Sequence, residues 1–243
     1  MIVIPMAGLS SRFRKAGFDK PKYMLEAKGM TLFEHALLSF KEYFKSEPFL
    51  FILLDVEGTL DFVKAKANSL GIGNIEIVTL EAPTRGQAET VYLGLQGIEI
   101  LDDLSITIFN IDTFRPGFKY PTSFNTSQVD GYLETFVGEG ANWSNVLPVE
   151  GSTDRVALTA EKQEISQYCC TGLYYFKSAA KYINLFEKYI QRDVEELQGG
   201  EFYIAPMYND LINAGLDIRF SVIDKSDVIF CGVPDEYYQF IES

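Results

Sequence analysis

The chain has 243 residues, 47% of them hydrophobic, and its 34 Asp and Glu against 21 Lys and Arg give a formal net charge of −13. This length suits one large α/β domain or two small ones, and the acidic balance excludes the extended basic surface that a nucleic-acid partner requires. The apolar runs are shorter than the roughly 20 residues of a membrane helix and no basic leader precedes the first one, so we expect neither an anchor nor a signal peptide.

The first half of the sequence alternates apolar runs with amphipathic segments. This pattern predicts strands at 2–5, 49–55, 75–80 and 105–112, with helices near 31–45, 58–70 and 86–98. Such alternation is typical of parallel strands joined by crossover helices. We therefore predict an α/β fold built on a parallel sheet.

The pattern changes after residue 113. Strand-like runs occupy 129–137, 143–149 and 168–176, and helical patterns return at about 177–198 and 203–214. The mixture favours a partly antiparallel second half. Because no linker or repeat interrupts the chain, we predict a single domain over 1–243, with halves at about 1–113 and 114–243.

The three cysteines are Cys169, Cys170 and Cys231. Their odd number and their spacing fit neither a disulfide framework nor a zinc site. We expect reduced thiols in a cytoplasmic protein.

The first predicted strand runs directly into the small-residue loop "AGLSSRFRK", where Gly8, Ser10 and Ser11 precede Arg12. Small residues let backbone N–H groups approach an anion. The run matches neither G-x-x-x-x-G-K-[ST] nor G-x-G-x-x-G, which disfavours a P-loop ATPase and a dinucleotide dehydrogenase. The loop therefore predicts local capture of a small anionic ligand in an otherwise acidic protein.

Several motifs in order resemble the nucleoside-triphosphate transferase family, the sugar-nucleotide pyrophosphorylases and cytidylyltransferases. The matching segments are the loop over residues 8–13, Pro21-Lys22, "EAPTRGQAETV", "NIDTF", "AEKQEIS", "CTGLYYF" and "CGVPDEYYQF". The resemblance implies a Rossmann-like fold of the GT-A type, with a mostly parallel mixed sheet flanked by helices in a single domain. It also implies transfer of a nucleotidyl group, with release of pyrophosphate.

The resemblance gives three residues catalytic roles. Arg12 is expected to bind the β- and γ-phosphates, Lys22 the reacting phosphates, and Asp112 a Mg²⁺ ion, the expected cofactor. The nucleotide-binding residues implied with them are Met6, Ala7, Gly8, Ser10, Ser11, Lys15, Glu81, Gly86 and Gln87. Arg14, Lys15 and Lys20 also fit a solvated loop.

A second metal carboxylate is harder to place. Many relatives carry it two residues before a late glycine. In this chain the glycine is Gly232, and the residue at the carboxylate position is Phe230. Asp224, Asp227 and Asp235 are nearby, and we select Asp235 as the second metal residue.

The nucleobase is expected to contact Glu81, because this residue occupies a position that often carries an amide in the family. A carboxylate only accepts hydrogen bonds, which suits the cytosine amino group or the guanine donors better than the uracil edge. The chain length also resembles the shorter cytidylyltransferases, so CTP is favoured over GTP. Gln87 is the alternative contact.

The resemblance places the acceptor at Glu161, Lys162, Thr171 and Gly172, with Glu201 and Tyr203 as further candidates, and Glu161-Lys162 also fits an exposed ion pair. Relatives of this size make activated precursors for capsule or cell-surface polymers, so we expect a phosphorylated acceptor, either a sugar phosphate or a non-sugar such as phosphocholine or phosphoglutamine. The alternatives are a nucleotide-sugar-dependent GT-A glycosyltransferase and a non-catalytic nucleotide-binding protein. No nucleic-acid or membrane partner is expected, and a homo-oligomer is left open.

Overall fold

A computed structural model describes residues 1–100, 104–193, 195 and 197–243. The fold is α/β, with a mostly parallel mixed sheet of nine strands and flanking helices, which confirms the predicted class. The chain divides into two compact units. The first comprises Met1–Thr84, Phe109–Lys119 and Ser226–Ser243, and the second comprises Arg85–Ile108 and Tyr120–Lys225.

The elements are numbered in chain order. The strands are β1 (Ile2–Met6), β2 (Glu26–Ala27), β3 (Met30–Thr31), β4 (Pro48–Leu54), β5 (Asn74–Leu80), β6 (Ile106–Phe109), β7 (Thr113–Phe114), β8 (Gly131–Val137), β9 (Ser144–Pro148), β10 (Val156–Glu161), β11 (Tyr168–Phe176), β12 (Ile218–Ile223) and β13 (Ile229–Phe230). The α-helices are α1 (Ser11–Lys15), α2 (Leu32–Leu38), α3 (Thr59–Ser69), α4 (Gln87–Gln96), α5 (Ala179–Tyr189), α6 (Tyr208–Asn213) and α7 (Pro234–Glu242). Among the described residues, no helix is long and apolar enough to span a bilayer.

The first unit contains the parallel strands β1, β4 and β5. Ile2 lies opposite Phe49, and Phe49 lies opposite Ile75. β1 is buried along its whole length and β4 along nearly all of it, which explains why both read as continuous apolar runs in the sequence. The carboxyl end of β1 leads directly into the glycine-serine loop.

The helix predicted over 31–45 is shorter in the structure. α2 ends at Leu38, and a 3-10 turn follows over Lys41–Tyr43. The chain bends so that the buried Phe40 ring packs 5.0 Å from the Phe109 ring, while the Ser39 hydroxyl accepts the backbone N–H of Arg115 at 2.8 Å. Tertiary packing therefore overrides a continuous helical pattern.

The second unit is mixed, as predicted. β11 pairs antiparallel with β8 and β9, whereas β12 pairs parallel with β8. The pairing of β11 with β8 is irregular between Cys170 and Tyr174, where Gly172 adopts a φ of +94°. Neither β10 nor β12 was predicted from the sequence.

Two predicted helices of the second unit are also shorter than expected. The pattern over 177–198 corresponds to α5, which ends at Tyr189. Residues 194 and 196 of that range lie outside the described residues. The pattern over 203–214 begins instead with a 3-10 turn at Ala205–Met207, which contains Pro206, before α6. The cysteines at 169, 170 and 231 are free thiols and buried.

Replacing Thr31 by Ala is expected to destabilise the fold. The Thr31 hydroxyl accepts the Glu34 N–H at 3.3 Å, and the Glu34 carboxylate accepts the Thr31 N–H at 2.9 Å, which together form a capping box at the start of α2. Loss of such a cap costs about 1 kcal/mol, or about 2–4 °C in Tm for a chain of this size. Thermal unfolding followed by circular dichroism measures it. The exposed Thr122→Ala is the control, and equal Tm values for the two variants would contradict the prediction.

The cost of Thr31→Ala should shrink in acid. Burial raises the pKa of the Glu34 carboxyl, but hydrogen bonds from Thr31 and Lys66 outweigh that effect and hold the pKa below its ordinary value of 4.5. A lowered pKa contributes stability above pH 4.5, and this contribution is lost as the pH falls through the folded-state pKa. Repeating the melts at pH 7 and near pH 3 tests this dependence.

Candidate active site

The first unit contains a cavity of about 250 Å³ at the carboxyl end of β1. Its lining includes five residues that the sequence analysis selected: Ser10, Ser11, Arg12, Lys22 and Asp112. Leu9, Phe13 and Gly232 complete the lining. Met6, Ala7 and Gly8 come just before these residues in the chain, and Lys15 comes just after the loop. The glycine-serine loop and the Pro-Lys motif therefore meet at one cavity.

Lys22 and Asp112 form an ion pair in this cavity. The Lys22 Nζ donates to Asp112 Oδ2, and each side chain is 21% exposed. Lys22 begins a 3-10 turn directly after Pro21, and its backbone N–H donates to the Ser10 hydroxyl at 3.1 Å. Ser10 itself has a left-handed backbone with φ of +52°. This hydrogen bond links the loop to the Pro-Lys turn, and residues of both segments line the cavity.

Asp112 lies in the turn between β6 and β7, and its position depends on a distant part of the chain. β7 pairs with β13, with Phe230 opposite Thr113. The Asp112 carbonyl accepts the Cys231 N–H at 2.8 Å. This pairing brings Gly232 to the cavity beside the Asp112 carboxylate.

The two acidic residues at the start of α7 differ in their surroundings. Asp235 is exposed. Glu236 Oε2 accepts the N–H groups of Gly232 at 2.7 Å and of Val233 at 3.2 Å. The choice of Asp235 as a metal residue stays a prediction, whereas Glu236, which was not selected from the sequence, is hydrogen-bonded to the cavity residue Gly232.

The donor set at the cavity suits a magnesium ion that shares its coordination with a ligand. No three His, Cys, Asp or Glu side chains gather to hold a metal in the part of the chain that the structure describes. Mg²⁺ usually takes one or two carboxylates and completes its shell with phosphate oxygens and water. Asp112 supplies such a carboxylate, and Gly232, which lines the cavity beside it, adds no side chain of its own.

The predicted nucleobase residues have different environments. Glu81 is exposed immediately after β5 in the first unit. In the second unit, Gly86 has a φ of +147°, and a Cβ there would lie 2.6 Å from the backbone N of Phe202. The backbone of Phe202 forms a hydrogen bond on each side of this glycine. Its N–H donates to the Arg85 carbonyl at 3.0 Å, and its carbonyl accepts the Ala88 N–H at 2.9 Å. The glycine at position 86 therefore allows the segment that contains Gln87 to pack against Phe202, which lies between Glu201 and Tyr203.

The acceptor candidates of the second unit include a linked group. Lys162 has a left-handed backbone with φ of +54°, and its Nζ donates to the Tyr203 hydroxyl. Tyr203 in turn donates its N–H to the Glu201 carbonyl at 3.0 Å. Burial raises the pKa of the neighbouring Glu161 carboxyl, which accepts a hydrogen bond from Ser144. These contacts bring together a buried acid, an ammonium group and a phenol.

Thr171 and Gly172 lie on β11. Thr171 is buried and its hydroxyl donates to Glu134 Oε1 at 3.1 Å, and Gly172 occupies the irregular part of the strand. Ser144 and Gln198, whose side chain accepts the Glu161 N–H at 2.6 Å, were not selected from the sequence. Neither residue lies in a motif that could have identified it, because each is distinguished by its contact with Glu161 in the folded chain.

Solved structures resemble this chain over its whole length. A nucleoside-diphosphate-sugar pyrophosphorylase from Vibrio cholerae RC9 is 52% identical, covers 100% of both chains and gives a TM-score of 0.94. An inositol-1-phosphate CTP transferase from T. maritima is 17% identical, covers 99% of this chain and 94% of its own, and gives a TM-score of 0.75. An apo UDP-glucose pyrophosphorylase is 13% identical, covers 99% of this chain and 96% of its own, and also gives 0.75.

The two distant structures share the fold, whereas the Vibrio protein also shares the sequence. No protein-family model and no curated protein matches the chain. The match over the full length confirms the resemblance that the motifs indicated. The chain belongs to the nucleoside-diphosphate-sugar pyrophosphorylases of the nucleoside-triphosphate transferase family.

Proposed function

We propose that the protein is a nucleotidyltransferase that condenses CTP with a sugar phosphate and releases pyrophosphate. The Lys22–Asp112 ion pair carries this proposal, because it lies in one cavity with Ser10, Ser11 and Arg12. The product would be an activated precursor for a capsule or another cell-surface polymer, made in the cytoplasm.

In this reaction an acceptor phosphate oxygen attacks the α-phosphorus of the triphosphate in line. One P–O bond forms, the α–β anhydride bond breaks, and pyrophosphate leaves with the electron pair. The protein has to align the two phosphates and offset their charge. Arg12 supplies a planar donor group for the β- and γ-phosphates, and Lys22 supplies a compact charge for the reacting ones.

The ion pair resolves an electrostatic conflict. An unpaired Asp112 carboxylate would repel a triphosphate, since like charges a few ångströms apart interact strongly where water is partly excluded. Lys22 offsets that charge before any ligand binds, and its three N–H donors allow contact with a phosphate oxygen as well. Mg²⁺ bound at Asp112 would add positive charge to the reacting phosphates.

The choice of CTP rests on Glu81. Its exposed carboxylate accepts hydrogen bonds only, which fits the cytosine amino group and the guanine donors. The distant structures named for CTP and for UDP-glucose share only the fold with this chain, so they favour neither base. GTP is therefore the second candidate, and Gln87 the second contact.

The linked group around Lys162 supports a phosphorylated acceptor. Lys162 offers an ammonium group that can bind a phosphate. The buried Glu161 carboxylate can accept a hydrogen bond from a hydroxyl group of the acceptor. The name of the Vibrio relative favours a sugar phosphate over phosphocholine or phosphoglutamine. Thr171, Gly172 and Glu201 complete the proposed acceptor residues.

Pyrophosphate release tests the function directly. CTP, GTP, UTP, dTTP and ATP are each incubated with Mg²⁺ and with sugar phosphates, phosphocholine and phosphoglutamine. Release that requires one triphosphate and one acceptor is the expected result. Sugar transfer from a nucleotide sugar without pyrophosphate would instead support a glycosyltransferase, and triphosphate binding with no product would support a non-catalytic protein.

Lys22→Ala and Asp112→Ala are each expected to lower kcat/KM by at least about 10²-fold, because each removes charge stabilisation from the reacting phosphates. Steady-state pyrophosphate release measures the loss, and circular dichroism checks the fold. Lys20→Ala removes the same charge two residues away from Lys22 and is the matched control. Rates near wild type for either Lys22→Ala or Asp112→Ala would remove that residue from the reacting site.

Glu81→Gln is expected to weaken the preference for CTP over UTP. The amide adds a hydrogen-bond donor, which the uracil carbonyl can accept and the cytosine amino group cannot. The ratio of kcat/KM for the two triphosphates is the measurement. An unchanged ratio would show that Glu81 does not read the base, and Gln87→Glu would then be compared in the same assay.

A further inference from the structure

Gly232 lines the cavity, and its backbone conformation does not explain why it is a glycine. Its φ is not among the positive values that favour glycine over other residues. A Cβ added there would lie 3.2 Å from Asp112 Oδ2 and 3.6 Å from Glu236 Oε2. The reason for glycine at this position is therefore the space beside the Asp112 carboxylate.

Two fixed points hold Gly232 in this place. On one side the Cys231 N–H is bonded to the Asp112 carbonyl at 2.8 Å. On the other side Glu236 Oε2 accepts the Gly232 N–H at 2.7 Å from the first turn of α7. The Asp112 carboxylate is itself held by Lys22. Neither the glycine nor the carboxylate can move freely to make room for an added side chain.

We propose that Gly232 keeps open the position beside Asp112 into which the phosphates of a nucleoside triphosphate and their divalent cation bind. Glu236 is then a positioning residue, which acts through the Gly232 backbone rather than through the ligand. This inference rests on the proposed function. It adds Gly232 and Glu236 to that site, and it gives the helix cap a role in ligand binding.

Gly232→Ala tests the space, and Gly73→Ala is its steric control. Gly73 also lacks a positive φ, and a Cβ there would meet the Phe44 carbonyl oxygen at the same 3.2 Å, away from the cavity lining. Isothermal titration calorimetry with CTP and with GTP, each with Mg²⁺, measures affinity, and thermal unfolding measures stability. We expect Gly73→Ala to bind like the wild type. Gly232→Ala should bind at least roughly tenfold more weakly, because the added methyl group takes space that the phosphates and the cation would occupy.

Equal affinity for the two glycine variants would overturn the inference and leave the proposed function intact. A wild-type chain that binds neither CTP nor GTP would overturn the proposed choice of base, and one that binds none of CTP, GTP, UTP, dTTP and ATP would overturn the proposed function and the inference together. The binding measurement therefore separates the two failures without using turnover.

Glu236→Ala and Glu236→Gln test the positioning role, with Glu242→Gln as a control that removes an exposed charge from the same helix. Glu236→Ala should weaken triphosphate binding, whereas Glu236→Gln should recover most of the affinity, because the amide oxygen can accept the same Gly232 N–H. A Glu236→Ala variant with a lower Tm but wild-type affinity would show that Glu236 only caps the helix. If Glu236→Gln were as weak as Glu236→Ala, the charge would be required and the positioning role would be wrong.

Discussion

The ion pair between Lys22 and Asp112 determines where the other parts of the cavity lie. The two side chains are 90 residues apart in sequence, and both are largely withdrawn from water. A charge in such a place is costly unless a partner compensates it, so the turn after Pro21 and the turn after β6 have to meet. The Ser10 hydroxyl then joins the glycine-serine loop to Lys22, and the Cys231 N–H joins the C-terminal segment to Asp112.

The parallel strands could be predicted closely because apolar residues recur along each segment, as a buried run in β4 and as partly exposed, alternating residues in β5. The run assigned to 49–55 is β4 at Pro48–Leu54, and the run assigned to 75–80 is β5 at Asn74–Leu80. A strand with apolar residues on both faces has a signal that does not depend on its neighbours. β10 is different, because its burial alternates only in part and Leu158 is exposed, so the segment Val156–Glu161 lacks a clear period of two. Its place in the sheet depends on pairing with β9, which a single segment cannot indicate.

The cavity was predictable where a motif marks it. Arg12, Lys22 and Asp112 were selected from three separate motifs, but the sequence does not contain the distance between them. The acidic pair at the start of α7 shows the limit. Asp235 and Glu236 are neighbours with similar chemistry, and only the helix geometry distinguishes them. The residue at the third helical position reaches back to the N–H groups before the helix, and that residue is Glu236.

The first unit is assembled from three separate stretches of chain, the last of which is Ser226–Ser243. Gly232 therefore reaches the cavity 210 residues after Lys22 in the order of synthesis. At the usual rates of translation this delay is roughly 10–40 s. During that time β1, β4 and β5 are already synthesised, whereas the cavity still lacks part of its lining. A fragment that stops before residue 226 could form this parallel sheet, but it would lack the glycine and the helix cap that complete the lining of the cavity.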